Sequence, residues 1–407
     1  MEEHPQARFI VETLSKAGFI AYYAGGWVRD LLLKHPSDDI DIATSAPPET
    51  IQALFPHTVP VGIAFGIVIV IIDDRQYEVA TFRQDIDYKD GRRPTRIEFT
   101  TAVEDAKRRD FTINGMFYDP LKGEIYDYVH GRADLDAKII RAIGNPHERI
   151  KEDRLRMIRA VRLACRFHFH IEEHTEKAIR AHAAELFPAV AIERIWQEFT
   201  KAHDFGNLRP TLLKLHEFGL LAAIFPSLKE TPLADLERRL APIQLYPATA
   251  PVIASLLPLF PHSSLNDSLA LCKKLKLPNI DQQFVSFLFR AQELLHRPVE
   301  RVEWAYFYAN AFAPISLQIL SAHLEPPRRA PFLREHEERM EQLHSSIQRI
   351  RNHDTVVKSD DLIKAGIKPG PTMGLLLKEA DRIAINEQLH EPAPVLERLK
   401  SSPLWPR

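Results

Sequence analysis

The chain has 407 residues, 45% of them hydrophobic, and a net charge of −2. That length allows roughly two to four domains, and the near-neutral balance excludes a global basic field, so nucleic-acid contact would need local patches. Cys165 and Cys272 are the only cysteines, which excludes a disulfide framework or a cysteine metal site and fits a reducing, cytoplasmic setting.

The polar start of the chain predicts no signal peptide. The longest apolar run, residues 59–72, contains glycine and is too short to span a bilayer, so no membrane partner is expected. Over Pro5–Lys16, Ala7, Ile10, Val11 and Leu14 recur at helical spacing, with Gly18 just beyond. Apolar segments at 19–23, 39–43, 67–72, 77–82 and 97–100 predict strands; 26–33 and 49–55 predict helices. Ile67–Ile72 is apolar throughout and reads as a buried central strand. Strands interleaved with helices predict an α/β or α+β domain. Residues 83–98, rich in Asp, Lys and Arg, predict a long charged loop able to move. After about residue 145 amphipathic helix patterns run to the end, punctuated at Pro188, Pro210, Pro226 and Pro251, with a late boundary near Pro326–Pro327.

Chemistry concentrates near the start. Gly25-Gly26-Trp27-Val28-Arg29-Asp30 reads as a strand end, a two-glycine turn and a helix start. Glycines admit a ligand close to the backbone, new helix N–H groups suit anions, and Arg29 adds a planar phosphate donor. Asp39-Ile40-Asp41-Ile42 alternates as a strand would, which puts both carboxylates on one side. Such a pair repels unless cations join it, and two magnesium ions roughly 3.5–4 Å apart are the usual arrangement in phosphoryl chemistry. A solvated strand end is the plain alternative. Glu78 becomes a third carboxylate if its strand lies beside Asp41.

These residues resemble the nucleotidyltransferases with a DNA-polymerase-β-type core. Arg108-Arg109-Asp110-Phe111-Thr112-Ile113-Asn114 narrows the resemblance to the class II tRNA nucleotidyltransferases (CCA-adding enzymes) and the related bacterial poly(A) polymerases. The resemblance implies that Arg109 and Asp110 contact the triphosphate and the ribose hydroxyls. Two departures are Gly115, where the family usually has Ala, and Trp27, in place of a smaller residue; a mid-helix Gly115 would loosen its turn. Gly131–Leu135 and Ile140–Pro146 resemble the third motif, a hinge, with Asn145 for the usual Asp.

Glu152-Asp153-Arg154-Leu155-Arg156 opens the helical part. Asp153 and Arg156, at i and i+3, would project together from one helix. By residues alone a salt-bridged helix surface is the commoner meaning of such a charge pattern. The resemblance makes it a protein template. A carboxylate at Asp153 accepts from the exocyclic amine of C or A, and Arg156 donates to the neighbouring ring nitrogen; U and G present the opposite groups. Arg159 and Arg162 are implied to bind triphosphate, and Ala191–Glu198 to brace the neck helices. Gly366–Leu376 resembles the family's tail, and Lys273, Lys274, Lys276, Arg328 and Arg329 are candidate tRNA contacts.

The expected plan is an α/β nucleotidyltransferase head over 1–145, a helical neck over 146–205, a helical body over 206–325 and a tRNA-binding helical tail over 326–407. The expected activity is template-independent addition of CMP and AMP from CTP and ATP to tRNA 3′ ends, with Mg2+ on Asp39 and Asp41. A-adding or poly(A) synthesis is the alternative within the family, and a non-catalytic RNA-binding protein the remote one. The sequence leaves the oligomeric state open.

Overall fold

The computed structural model describes residues 4–35, 37–62, 65–88 and 94–406. The chain forms two compact units, Met1–Glu237 and Arg238–Arg407.

The first unit begins with α1 (Pro5–Lys16), opened by proline and buried through Ala7, Ile10, Val11 and Leu14 as the spacing predicts. Then come β1 (Ala21–Ala24), α2 (Gly26–Leu32), β2 (Asp41–Thr44), α3 (Pro48–Leu54), β3 (Thr58–Gly62), β4 (Ile67–Ile72) and β5 (Arg75–Thr81). They are followed by β6 (Arg83–Tyr88), β7 (Pro94–Phe99), α4 (Ala102–Lys107), β8 (Met116–Asp119) and β9 (Glu124–Asp127). The main sheet runs β3-β4-β5-β2-β1-β8-β9, with β2 and β5 parallel and the other pairs antiparallel. Its middle strand is therefore β2, the strand that Asp41 opens. Ile67–Ile72 sits one place in from the edge instead, with only Val68 and Val70 buried. Phe82, Phe117, Val129 and Ile143 build a core beside Ala24 and Ala43, so the strand ends that carry the polar groups rest on close packing.

Two further expectations change. The charged segment is a hairpin, β6 against β7 in antiparallel register from Arg83↔Phe99 to Tyr88↔Pro94; residues 89–93, with Lys89, Asp90, Arg92 and Arg93, lie outside the described residues. The alternation in Arg83–Tyr88 was masked by its charges. Gly115 is not in a helix interior. It ends a single 3₁₀ turn, Thr112–Asn114, and a Cβ there would stand 2.6 Å from Val129 Cγ2. The glycine makes room rather than looseness.

The helical part continues with α5 (Gly131–Asp136), α6 (Pro146–Glu152), α7 (Leu155–Phe167), α8 (Glu173–His182), α9 (Ile192–Asp204) and α10 (Leu208–Glu217). Asn145 caps α6 by accepting from the N–H groups of His147 and Glu148. Two-residue strands at Ile139–Ile140 and His170–Ile171 pair in parallel.

The second unit is helical among the described residues, with long helices at Asn279–Leu294, Pro326–Gln342 and Pro371–Asn386. A local core gathers Leu362, Leu376, Ala380, Ala384, Val395 and Leu399. Among the described residues no helix is long and apolar enough to cross a membrane.

Candidate active site

The site lies in a cleft of about 820 Å3 in the first unit. Its floor is made where β1 turns into α2. Gly25 has φ +71°, which favours glycine, and a Cβ on it would meet Arg109 Nη1 at 3.1 Å and Asp41 Oδ2 at 3.9 Å. The two-glycine turn thus lets backbone lie against both groups; a Cβ on Gly26 would touch Arg29 Nη2 at 3.3 Å. Arg29 reaches the cleft but is buried and already engaged. It donates through Nε to Asp30 Oδ1 at 2.9 Å and through Nη1 to Asn114 Oδ1 at 2.5 Å. Burial lowers its guanidinium from the ordinary value, and Asp30 opposes that.

Asp39 and Asp41 both line the cleft. Only Asp41 is on the strand; Asp39 lies in the segment leading into it. Register pairs Ala24 with Asp41, and Ile42 with Val79 in parallel, so Glu78 sits alongside Asp41. Asp41 is open to solvent, yet its carboxyl is pushed up to about 7, first by lost solvation in the cleft, then by Glu78 and Asp39. Lost solvation also raises Glu78, with Arg83 opposing. Among the described residues no three His, Cys, Asp or Glu side chains are arranged to hold one ion. A cation here would need oxygen from substrate or water besides the aspartates.

The Arg108–Asn114 segment forms the next wall. Asp105, buried at the end of α4, holds Arg108 at 2.7 Å and Arg109 at 3.0 Å. Arg109 also lies over the Phe117 ring at 4.9 Å. Burial would raise the Asp110 carboxyl, but Arg159 on α7 (2.6 Å) and Asn114 hold it well below the usual carboxylate range.

The segment 152–156 departs from expectation. Asp153 and Arg156 do not share a helix. The chain breaks between α6 and α7, with Asp153 extended at φ −148°, ψ 103°. Both still line the cleft. Asp153 is gripped bidentately by Arg194 of α9, Nη1 to Oδ1 at 3.0 Å and Nη2 to Oδ2 at 2.8 Å. Arg156 donates to Glu152 Oε2 and to the Arg149 carbonyl, each at 2.7 Å. Further along, Arg162 donates to Glu198 Oε2 at 2.5 Å, and Arg159 Nη1 stands 3.6 Å from Glu198 Oε1. Finally Arg166 lies over the Phe205 ring at 3.5 Å. The pairs Asp153–Arg194, Arg162–Glu198 and Arg166–Phe205 run in the same order from just before α7 to just after α9, so α9 lies parallel to α7 and fixes its polar face.

The sequence gives no site role to Asp105, Glu152 or Lys201, and Arg194 and Glu198 enter there only as part of the bracing motif 191–198. A signal existed: Asp105 precedes Arg108 and Arg109 by three and four residues, and Arg194, Glu198 and Lys201 recur on one helical face.

Residues 21–141 match the poly A polymerase head domain family, and 168–231 match the probable RNA and SrmB-binding site of polymerase A. A CCA-adding enzyme of Streptococcus agalactiae serotype V is 34% identical over 406 residues, 98% of this chain and 97% of that one. This chain belongs to the CCA-adding enzyme family. A CCA-adding enzyme of Enterococcus faecalis is 48% identical over 200 residues, so that match spans about half (49%) of each chain. The solved CCA-adding enzyme of Bacillus stearothermophilus, in complex with CTP, is 30% identical, with TM-score 0.77 and 97% of each chain covered. The nucleotidyltransferase head followed by helical segments is thus the architecture of CCA-adding enzymes. Nucleotidyltransferases of this kind generally use divalent metals.

Proposed function

We propose that this CCA-adding family member joins CMP and AMP, from CTP and ATP, to tRNA 3′ ends without a nucleic-acid template. One observation carries the reading: the Asp39–Asp41 pair and the Asp153–Arg156 pair open into the same cleft.

The free valences support base reading. Asp153 Oδ1 already accepts from Arg194 and from the Leu155 N–H, and Oδ2 accepts from Arg194. A carboxylate has about four acceptor positions, so Oδ2 keeps one for an exocyclic amine. Arg156 uses both Nη1 hydrogens and one on Nη2, toward the Arg108 carbonyl at 3.5 Å. Its Nε–H and one Nη2–H remain for a ring nitrogen or carbonyl. Cytosine and adenine satisfy both side chains; uracil and guanine set acceptor against acceptor. Held by Arg194 and Glu152, neither side chain needs ordering when a base arrives.

Asp39 and Asp41 would hold magnesium, with Glu78 adjusting the charge beside them; the lost solvation and neighbouring carboxylates that raise Asp41 are offset by a cation. Magnesium supplies Lewis-acid charge stabilisation at the reacting phosphate. Gly25 and Gly26 admit the triphosphate to the backbone, and Arg29, Arg109, Arg159 and Arg162 balance its charge; Asp110, whose four acceptor positions are taken by the Phe111 N–H, Asn114 and Arg159, accepts from a ribose hydroxyl by exchanging one of them. The division into a head over 1–145, a neck over 146–205, a body over 206–325 and a tail over 326–407 belongs to the same proposal, as does a cytoplasmic location, where tRNA and nucleotides meet.

The test is product length. With tRNA lacking CCA, both nucleotides and magnesium, the product gains three residues and stops. A chain that extends only tRNA ending in CC is an A-adding enzyme, and a long adenylate ladder marks a poly(A) polymerase. RNA binding without extension, unchanged by Asp41→Ala, would leave a non-catalytic protein.

A further inference from the structure

The far end of the cleft carries groups that the incoming nucleotide does not use. Lys201, in the last turn of α9, is exposed and lines the cleft. Its side chain makes no hydrogen bond or ion pair among the described residues, whereas the cleft arginines already hold carboxylates. Its charge reaches Asp41, so it stands near the place where a phosphodiester would form. Four residues on, Phe205 is 47% exposed in a cleft lined mostly by charges. Arg166 lies over its ring at 3.5 Å and is anchored in turn by Asp30 at 3.5 Å.

A half-exposed phenyl ring braced by a guanidinium is a stacking seat for a planar partner. The incoming nucleotide has one planar group, its base. Asp153 and Arg156 take that base at the opposite end of α7. Arg156 and Arg166 are ten residues apart on α7, or about 15 Å at 1.5 Å per residue. A triphosphate offers nothing to a phenyl ring. The other planar groups in the reaction are the bases at the end of the acceptor RNA.

We propose that Lys201 and Phe205 seat the 3′-terminal nucleotide of the acceptor, Lys201 holding its phosphate and Phe205 stacking its base. The seat places the terminal 3′-hydroxyl toward Asp39 and Asp41 while the template residues hold the incoming base. This rests on reading the chain as an RNA 3′-end transferase.

Both side chains are exposed, so their substitution leaves the fold intact. The experiment uses the full chain with tRNA ending in CC, ATP and magnesium, and compares wild type with Phe205→Ala, Phe205→Trp and Lys201→Met. Phe205→Ala should raise KM for the acceptor about tenfold, the loss of one stacked base, and leave KM for ATP unchanged. Phe205→Trp should restore the acceptor KM. Lys201→Met should reduce the slope of log acceptor affinity against log salt by about 0.7, one single-strand phosphate contact. A raised KM for ATP with an unmoved acceptor KM would overturn the assignment, as would no change in either. Wild-type protein that extends no RNA would instead sink the transferase reading, and this seat with it.

Discussion

Replacing Asp41 by asparagine should stabilise the metal-free protein while removing its chemistry. The Asp41 carboxyl is pushed up from 3.8 to about 7, by lost solvation and then by Glu78 and Asp39. Between those values the folded protein keeps a proton that the unfolded chain has released. Stability therefore falls as pH rises through that window and stays lowered above it. In an enclosed site the displacement would be worth about 4 kcal/mol. Asp41 opens to water, so screening cuts this to about 1–2 kcal/mol. For a unit of this size that is roughly 2–6 °C in melting temperature. Thermal unfolding near pH 8 in a chelator should show Asp41→Asn melting above wild type by that margin, with the advantage gone below about pH 4, where the wild-type carboxyl is protonated in both states. Added magnesium should stabilise the wild type and not the variant, and CMP incorporation should fall by more than about a hundredfold. A variant that melts with or below the wild type near pH 8 would refute the crowded-carboxylate argument.

Asp110→Asn removes the nearer of Arg159's two carboxylate partners, leaving Glu198 at 3.6 Å, and should lower stability by about 2–3 kcal/mol, read as a urea midpoint. The same carboxylate is held low, so its contribution is present above pH 3.8 and lost as pH falls below it, which acid unfolding would register. Arg194→Met releases Asp153 from its two-point grip; UTP misincorporation relative to CTP should rise about tenfold in single-turnover assays, with melting little changed. Gly131→Ala would place a Cβ 2.2 Å from the Thr112 carbonyl oxygen and 2.9 Å from Met116 Cγ; it should destabilise by about 3 kcal/mol in denaturant titration.

Much of the site was legible because its signals are local. The glycine pair and the Asp-x-Asp spacing identify themselves, and Glu78 needed only the condition that its strand lie beside Asp41, which the parallel β2–β5 register meets. What failed was non-local. Helical spacing put Asp153 and Arg156 on one helix, but Pro146 starts a short helix that ends at Glu152, and α7 begins afresh at Leu155. Asp153 is held instead by Arg194, forty-one residues downstream, and no periodicity announces that pairing. Residues 83–98 read as a loop in sequence because their charges outweigh their alternation. Gly115 was judged against helix propensity, although the reason for it is the Val129 and Ile143 side chains packed where a methyl would go. Nothing local marks Lys201; it lines the cleft only because α9 runs beside α7.

The pairing of arginines with aspartates along the cleft bears on how substrate is drawn in. Among the described residues eight cationic side chains and seven aspartates line the cleft, and Asp105, Glu152 and Glu198 hold several of those arginines from behind, so at rest it carries no positive excess. It exerts little long-range pull on a triphosphate, and collisions would be captured at an unassisted rate. Steering begins only once divalent ions tip the local potential positive. The cleft would then be blind to free polyanions, and attentive to them only in the company of the ions that make reaction feasible.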